Sequence, residues 1–306
     1  MTKNQNKTLI VLTGPTAVGK TALSLSLAEC FHAEIVSADA RQFYRELAIG
    51  TAAPSPHELA TIKHHLIGHL SVVDYYNVSL YEQQALGVIN DLFDKSDYVV
   101  LAGGSGLYID TLCSGIDTLP PVDRLVREKV QRVFESDGLA GIRNWLKQVD
   151  PAYYHIVDPA NPKRIMRGLE VFLQTGIQYS EHRKHQSVER PFTIKRVVLV
   201  RERDELFCRI NARVHKMVRD GLVEECLFMY KCRHLNALNT VGYKELFAWI
   251  SNEWPLNRAI EKIQTNTRRY AKRQITWFKR YPDAGWFHPD DFDGILQFIK
   301  KVGKSV

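Results

Sequence analysis

Residues 14–21 read G-P-T-A-V-G-K-T and match the pattern G-x-x-x-x-G-K-[ST], which constrains this chain more than any other feature. A β-branched apolar run at 8–12 precedes the pattern, and apolar residues at helical spacing follow it over 21–31. In this order, glycines let backbone N–H groups approach an anion, and the helix adds its positive N-terminal end. The segment therefore predicts a phosphate-binding loop for a di- or triphosphate, without specifying ATP.

Two side chains of the loop carry its chemistry. Lys20 supplies a full positive charge to phosphate oxygens, and the Thr21 hydroxyl can be a ligand of Mg²⁺, which we expect as the cofactor. A chance match in a structural turn is the alternative. The predicted phosphate-binding residues are Gly14, Pro15, Thr16, Ala17, Val18, Gly19, Lys20 and Thr21.

Further strand patterns occur at 34–37, 98–102 and 195–200, and a helix capped by Ser79 is predicted to run to residue 93. The run at 98–102 is continuously apolar, as in a parallel strand buried on both faces, and it leads through G-G-S-G into another helix. This alternation predicts an α/β fold with a parallel sheet.

Between residues 117 and 189 the strand signal disappears, and amphipathic helices follow one another between prolines. We therefore predict a helical insertion at 117–189 between two parts of a core, 1–116 and 190–306. The second part ends in basic helices, the last long one over 256–280.

The charge of the chain is uneven. Residues 190–306 contain 23 Lys and Arg against 13 Asp and Glu, whereas the whole chain has a net charge of +7. This asymmetry indicates a polyanionic partner such as nucleic acid, although a solvated basic surface is the alternative. No apolar run is long enough to span a membrane, the first residues lack a signal-peptide pattern, and the five scattered cysteines fit a reducing cytoplasm.

A nucleotide-binding loop of this kind is expected to have an acidic partner at the end of a buried strand. The strand pattern that is most clearly buried, at 98–102, ends in Gly-Gly-Ser-Gly and has no such residue. The candidate acid is Asp39, after the shorter strand, and the A-R-Q-F-Y segment behind it suits a polar planar group such as a base. This arrangement argues against an ordinary kinase or ATPase.

The ordered motifs of the chain resemble the tRNA dimethylallyltransferases, also called tRNA isopentenyltransferases, over about residues 9–286. The matching segments are G-P-T-A-V-G-K-T at 14–21, S-A-D-A-R-Q-F-Y-R at 37–45, I-G-T-A-A-P at 49–54, H-H-L-I at 64–67, G-G-S-G-L-Y at 103–108, K-R-I-M-R-G-L-E-V-F at 163–172, G-L-V-E-E at 221–225, V-G-Y-K-E-L at 241–246 and T-R-R-Y-A-K-R-Q-I-T-W-F at 267–278.

The resemblance implies a P-loop NTPase-like core with a helical insertion and a Mg²⁺-dependent prenyl transfer. The donor is dimethylallyl diphosphate, and the acceptor is N6 of adenosine 37 in tRNAs that read codons beginning with U. It also implies a monomer that binds the anticodon stem-loop of tRNA and no membrane.

By the same resemblance, three residues are catalytic. Asp39 stands at the position of the general base, Ser105 at that of a threonine contacting the bridging oxygen of the leaving diphosphate, and Arg213 at that of an arginine that clamps the diphosphate with Lys20. The alternatives are a loop-capping carboxylate for Asp39, a small residue in a glycine turn for Ser105 and a surface ion pair for Arg213.

The implied tRNA contacts lie in three segments and at two single positions. An amphipathic core helix with a basic outer face is the alternative for the last segment. The contacts are Asp39, Ala40, Arg41, Gln42, Ser105, Arg127, Lys163, Arg164, Ile165, Met166, Arg167, Lys272 and Arg273.

The chain departs from the family pattern at several positions. Ala40 replaces a serine, Ala53 a lysine and Ser105 a threonine, and the insertion motif P-N-D-x-x-R is altered at 159–164. None of these changes removes an indispensable group, so they predict a divergent member. Two other functions stay open at this point: a P-loop kinase for a small metabolite or nucleotide, and an RNA-binding protein without catalysis.

Overall fold

The computed structural model describes residues 7–117, 119–121, 123–184 and 187–301. It divides into two compact units: Gly115–Val188 forms one, and the chain on either side of it forms the other, the core. The predicted core and the predicted insertion include a few positions that lie outside the described residues: 1–6, 118, 122, 185, 186 and 302–306.

The core is built on one parallel sheet of six strands in the order β3-β2-β4-β1-β5-β6. This topology confirms the predicted α/β class, with a P-loop NTPase-like core. The strands are β1 Thr8–Thr13, β2 Ile35–Ser37, β3 His64–His65, β4 Tyr98–Gly103, β5 Thr193–Leu199 and β6 Gly285–Phe287.

Helices cover both faces of the sheet and form the whole regular structure of the insertion. Among the described residues, none of them has the length and apolar character needed to cross a bilayer. They are α1 Lys20–Phe31, α2 Pro56–Thr61, α3 Val78–Phe93, α4 Gly106–Ser114, α5 Arg124–Val149, α6 Pro151–Ile156, α7 Pro162–Thr175, α8 Tyr179–His182, α9 Arg203–Arg219, α10 Leu222–Met229, α11 Tyr243–Ile250, α12 Leu256–Phe278 and α13 Phe292–Lys300.

The side chains of β1 alternate between two apolar clusters. Leu9 and Val11 pack with α3 and α4, whereas Ile10 and Leu12 pack with α1, α9 and α13. All four are fully buried, and each such burial stabilises the fold by about 1.5–3 kcal/mol relative to exposure. The central strand is therefore held rigidly from both faces, which fixes the loop that follows it.

The predicted cap of α3 is wrong. The helix begins at Val78, and the Asn77 side chain accepts a hydrogen bond of 2.9 Å from the Leu80 N–H, so Ser79 lies within the first turn. Asn and Ser are about equally good N-caps, and the burial of Tyr81 and Ala85 sets the register in favour of Asn77.

The insertion has its own apolar core, formed by α5, α6 and α7 around residues such as Leu146 and Leu169. Asp123, Asp150 and Asn161 cap the helices that follow them through their side-chain oxygens. Gly138 breaks the long helix α5 with a φ of 63°, a conformation that glycine adopts without strain.

The chain leaves the core after Ser114 and returns to it at Glu189. Arg190, the next residue, donates hydrogen bonds to the carbonyls of Leu112 at 2.8 Å and Thr111 at 3.0 Å, and its guanidinium pairs with Glu82. These contacts within the core hold the two crossing points side by side.

Candidate active site

Three loops meet at the carboxyl edge of the sheet. They follow β1, β2 and β4, which are neighbours in the sheet, with Ser37 paired to Ala102 and Thr13 paired to Gly103. The carboxyl ends of parallel strands next to one another are where ligands bind in open α/β folds. The sheet therefore brings the phosphate loop, the Asp39 loop and the Ser105 loop into one place.

The phosphate loop has the backbone conformation that its glycines predict. Gly14 has a φ of 149° and Gly19 a φ of 118°, and a Cβ on Gly14 would lie 2.7 Å from the Leu199 carbonyl oxygen. Lys20 Nζ donates hydrogen bonds to the carbonyls of Gly14 at 3.0 Å and Pro15 at 2.9 Å. The lysine thus spans the loop from inside.

Burial lowers the pKa of Lys20 to about 8, because the ammonium is removed from water. Asp39 opposes this shift and Arg213 adds to it. A phosphate anion in the loop would favour the charged form of Lys20.

The Asp39 and Ser105 loops are joined by two hydrogen bonds. The Ser105 Oγ accepts one of 2.9 Å from the Ala40 N–H, and the Ser105 N–H donates one of 3.2 Å to the Ala38 carbonyl. Asp39 Oδ1 accepts one of 3.0 Å from the Arg41 N–H. In the described part of the chain, Oδ2 makes no hydrogen bond to protein, so one oxygen caps the loop and the other is available to a ligand.

Three arginines hold the phosphate loop from the side of β5 and α9. Arg213 Nη1 donates to the Thr16 hydroxyl at 3.3 Å, Arg209 Nε to the Ala17 carbonyl at 2.9 Å and Arg201 Nε to the Val18 carbonyl at 2.8 Å. Burial lowers the pKa of Arg213, which nevertheless stays charged. Among the described residues Arg213 forms no ion pair within 4.0 Å; its side chain bonds to Thr16, and the charge of Asp39 acts on it from further away.

Gln274 of α12 also contacts this site, although its residue type and position in the sequence did not distinguish it. Its Oε1 accepts a hydrogen bond of 2.9 Å from the Thr16 N–H, and its Nε2 donates one of 2.8 Å to the Gly104 carbonyl. The sequence signal for Gln274 is that it is a polar residue on the apolar face of α12, between Ala271 and Phe278. The basic residues on the opposite face of the helix are more conspicuous in the sequence.

These residues surround one cavity of about 1420 Å³ within the core. Its volume exceeds the roughly 300–1,000 Å³ of a pocket for one small ligand, so there is room for two reactants. Gly14, Pro15, Val18 and Lys272 do not line it. The predicted site residues that do are Thr16, Ala17, Gly19, Lys20, Thr21, Asp39, Ala40, Arg41, Gln42, Ser105, Arg213 and Arg273.

Arg41 and Gln42 use their side chains to hold neighbouring segments. Arg41 Nη1 donates to the carbonyls of Asn236 at 3.0 Å and Ala237 at 3.1 Å. Gln42 Nε2 donates to the carbonyl of Ala52 at 3.0 Å. Their contact with RNA stays a prediction, and it requires either backbone groups or a change of these side-chain bonds.

The predicted contacts of the insertion differ in accessibility. Lys163 and Arg164 are exposed in the first turn of α7, and Met166 is partly buried. Ile165 is fully buried, so its side chain packs in the insertion core and has no surface to offer to RNA.

Two further arginines of the insertion are paired within it. Arg127 Nε lies 3.3 Å from Glu170 Oε1, and Arg167 Nη2 donates to the Pro120 carbonyl at 3.1 Å. Arg127 is 56% exposed, so it can contact RNA while keeping its ion pair. Arg167 is 27% exposed and serves mainly to tie the start of the insertion to α7.

The oxygen donors of the cavity fit a magnesium ion shared with a phosphate ligand. Thr21 offers a hydroxyl and Asp39 a carboxylate in the same cavity. Among the described residues, no three His, Cys, Asp or Glu side chains form a metal cluster. Mg²⁺ usually binds through one or two protein oxygens together with substrate phosphates and water, so this donor set suits it.

Fold and site together define a P-loop α/β protein with a carboxylate, Asp39, in the cavity beside the loop. The family model described as IPP transferase matches residues 42–281. This chain belongs to the IPP transferase family.

Characterised relatives and solved structures cover nearly the whole chain. The tRNA dimethylallyltransferase 1 of Bacteroides thetaiotaomicron is 50% identical over 96% of this chain and 95% of its own length. The tRNA isopentenylpyrophosphate transferase of Bacillus halodurans superposes with a TM-score of 0.71 at 29% identity, covering 97% and 98% of the two chains. A eukaryotic dimethylallyltransferase acting on tRNA gives 0.78 at 26% identity, covering 94% of this chain and 75% of the other.

Proposed function

We propose that this chain transfers the dimethylallyl group of dimethylallyl diphosphate to N6 of adenosine 37 in tRNAs that read codons beginning with U. The products are N6-(dimethylallyl)adenosine and diphosphate. The observation that carries the proposal is one cavity in which the Asp39 carboxylate lies beside the cations Lys20 and Arg213. A prenyl transfer needs a base for the acceptor and fixed cations for the leaving group.

Asp39 serves the acceptor. The exocyclic amine of adenine is a weak nucleophile, so its proton must leave as the new bond forms. The Asp39 oxygen without a protein partner accepts this proton, while the oxygen bonded to the Arg41 N–H keeps the carboxylate oriented.

Lys20, Arg213 and Ser105 serve the donor. The bond between the prenyl carbon and the diphosphate oxygen breaks with its electron pair on oxygen, and the same carbon bonds to N6. Negative charge therefore grows on the diphosphate, where the ammonium and guanidinium stabilise it. The Ser105 hydroxyl, fixed by the Ala40 N–H, donates towards the bridging oxygen.

Magnesium completes the donor site. Thr21 would hold it through the hydroxyl, together with diphosphate oxygens and water. When bound, the ion supplies positive charge to the diphosphate.

Exposed basic residues supply contacts to the tRNA anticodon stem-loop. Lys272 and Arg273 lie on the outer face of α12, and Lys163 and Arg164 on the first turn of α7. Such residues bind phosphates and position the RNA. We expect a monomer acting in the cytoplasm, where the five free cysteines stay reduced.

The test is direct product analysis. Purified protein is incubated with dimethylallyl diphosphate, Mg²⁺ and an unmodified tRNA with adenosines at positions 36, 37 and 38, and nucleosides are analysed by mass spectrometry. We expect N6-(dimethylallyl)adenosine, and a loss of about 10²–10⁴-fold in kcat for Asp39→Asn. Binding of tRNA without product would overturn the proposal in favour of an RNA-binding protein, and transfer of phosphate from ATP would favour a kinase.

A further inference from the structure

We infer that Gln274 is a positioning residue that sets the spacing between the phosphate loop and the Ser105 loop, and that its amide is required at this position. The inference rests on the proposed function. One side chain connects the two loops: Gln274 Oε1 accepts from the Thr16 N–H at 2.9 Å, and Nε2 donates to the Gly104 carbonyl at 2.8 Å. These loops hold opposite sides of the leaving group.

The Gln274 side chain is tightly packed against its neighbours. Gln274 is 5% exposed, and a Cβ on Gly104 would lie 2.4 Å from its Nε2. The same Cβ position is 3.7 Å from Lys20 Nζ, so the amide, the Gly104 backbone and the catalytic ammonium are packed together. A shift of Gln274 would therefore move Ser105 and Lys20 relative to each other.

The primary amide of Gln274 satisfies both partners at once. It presents an acceptor to an N–H group and a donor to a carbonyl from the same planar group. A glutamate would keep the bond to Thr16 but would set a carboxylate oxygen against the Gly104 carbonyl oxygen. A methionine would keep the volume and lose both bonds.

The helix that carries Gln274 is itself anchored one turn further on. Trp277 Nε1 donates to Asp110 Oδ2 at 3.1 Å, and Arg280 Nη2 donates to the same oxygen at 2.9 Å. Asp110 belongs to α4, the helix that begins directly after Ser105. Gln274 is therefore held between fixed points, as a positioning group must be.

Positioning has a kinetic consequence. A displacement of about 1 Å in a catalytic group can cost 10²-fold in rate, and donors aimed at a leaving group act only when they are fixed beforehand. Both side-chain hydrogen bonds of Gln274 go to backbone groups of these two loops. Loss of the Gln274 amide should lower kcat and the affinity for diphosphate, and it should leave the KM for tRNA nearly unchanged.

The experiment compares Gln274→Glu and Gln274→Met with Gln264→Glu, a control on the same helix whose amide contacts His215 Nε2 at 3.0 Å. For both Gln274 variants we expect kcat to fall at least tenfold, the affinity for inorganic diphosphate with Mg²⁺ to fall in calorimetry, and the KM for tRNA to stay within about twofold. Thermal unfolding identifies any variant that fails to fold. If only one of the two Gln274 variants folds, that variant alone tests the inference.

A second readout is specific to the amide. A glutamate at this position can donate to the Gly104 carbonyl only in its protonated form, which burial favours and the nearby Lys20 ammonium disfavours. The ratio of Gln274→Glu activity to wild-type activity should therefore rise as the pH falls, whereas Gln274→Met should keep a constant ratio. A folded variant with wild-type kcat and diphosphate affinity would overturn the inference. If wild-type protein binds diphosphate but forms no prenyl product, the proposed function fails and the binding comparison still tests Gln274.

Discussion

The Ser105 hydroxyl oxygen accepts a hydrogen bond of 2.9 Å from the Ala40 N–H. Ala40 and Ser105, two residues that depart from the expected family pattern, are thus in direct contact beside Asp39. The Ser105 hydroxyl also forms a side-chain hydrogen bond with Tyr270, so a leaving group would compete with this ring for its proton. The serine therefore joins its own loop to the Asp39 loop, and on the proposed function it also contacts the leaving group.

Substitution of Ser105 separates its hydroxyl from its size. Ser105→Ala should lower kcat about 10²-fold, because it removes one preorganised donor to the leaving group and the partner of the Ala40 N–H. Ser105→Thr keeps the hydroxyl and restricts its rotamers, so activity should be retained or raised. Single-turnover kinetics with saturating donor measure both. Equal activity of the alanine variant and wild type would contradict a role for the hydroxyl.

Arg213 is expected to act through charge and through its fork of donors. Arg213→Gln should reduce kcat/KM for the donor about 10²–10³-fold, since growing negative charge loses a fixed cation. Arg213→Lys should recover part of this loss, because a lysine keeps the charge but presents it as a single point. The measurement is steady-state kinetics at varied donor concentration. Indistinguishable glutamine and lysine variants would show that the charge is not what matters.

The lowered pKa of Lys20 predicts proton uptake on diphosphate binding. The folded-state pKa of about 8 lies below the usual lysine value of 10.5, so the free enzyme loses this proton as the pH rises through about 8. Bound diphosphate restores it, and donor affinity should fall up to about tenfold per pH unit above 8. Between pH 8 and 10.5 the unfolded chain binds the extra proton, so this group makes stability rise with pH there.

Calorimetry of diphosphate binding at pH 8.5, in two buffers of different ionisation enthalpy, measures this uptake, about one proton at most. Lys20→Arg is the control, because a guanidinium stays charged and should take up none. Equal buffer dependence of the two proteins would show that another group titrates.

Tyr243 should matter for stability. Its hydroxyl donates to Glu225 Oε1 at 2.6 Å, and the same carboxylate accepts the N–H groups of Ile49 and Gly50, each at 2.8 Å. The ring is fully buried, so Tyr243→Phe should cost about 1–3 kcal/mol by leaving the carboxylate short of a partner. Urea denaturation measures the change. Tyr230→Phe, whose hydroxyl contacts Ser251 at the surface, should cost less than about 0.5 kcal/mol.

Lys163 and Arg164 should contribute to tRNA affinity through phosphates. Replacing both with alanine should weaken binding at low salt and reduce the slope of log affinity against log salt by about one unit per lost contact. Filter binding over a salt series gives this slope, with the exposed Lys129→Ala of α5 as control. A weakened affinity with an unchanged slope would indicate a contact to a base.

The parts of the molecule that could be predicted from sequence are local and periodic. The phosphate loop between β1 and α1, and the Gly-Gly-Ser end of β4, follow from residues adjacent in the chain. The edge strands β3 and β6, of two and three residues, are too short to show a period. The turning of the Arg41 and Gln42 side chains towards distant carbonyls depends on tertiary packing, and so does the bridge made by Gln274.

The contacts of Arg190 have a consequence for how such a chain can change over evolutionary time. Because this residue ties the return of the chain to the Leu112 and Thr111 carbonyls, the excursion through Gly115–Val188 starts and finishes at one spot on the core. A stretch of that kind can be lengthened, shortened or exchanged without altering the pairing of β4, β1 and β5. On the proposed function, tRNA contacts such as those of Lys163 and Arg164 can therefore change there while the residues of the core cavity are kept.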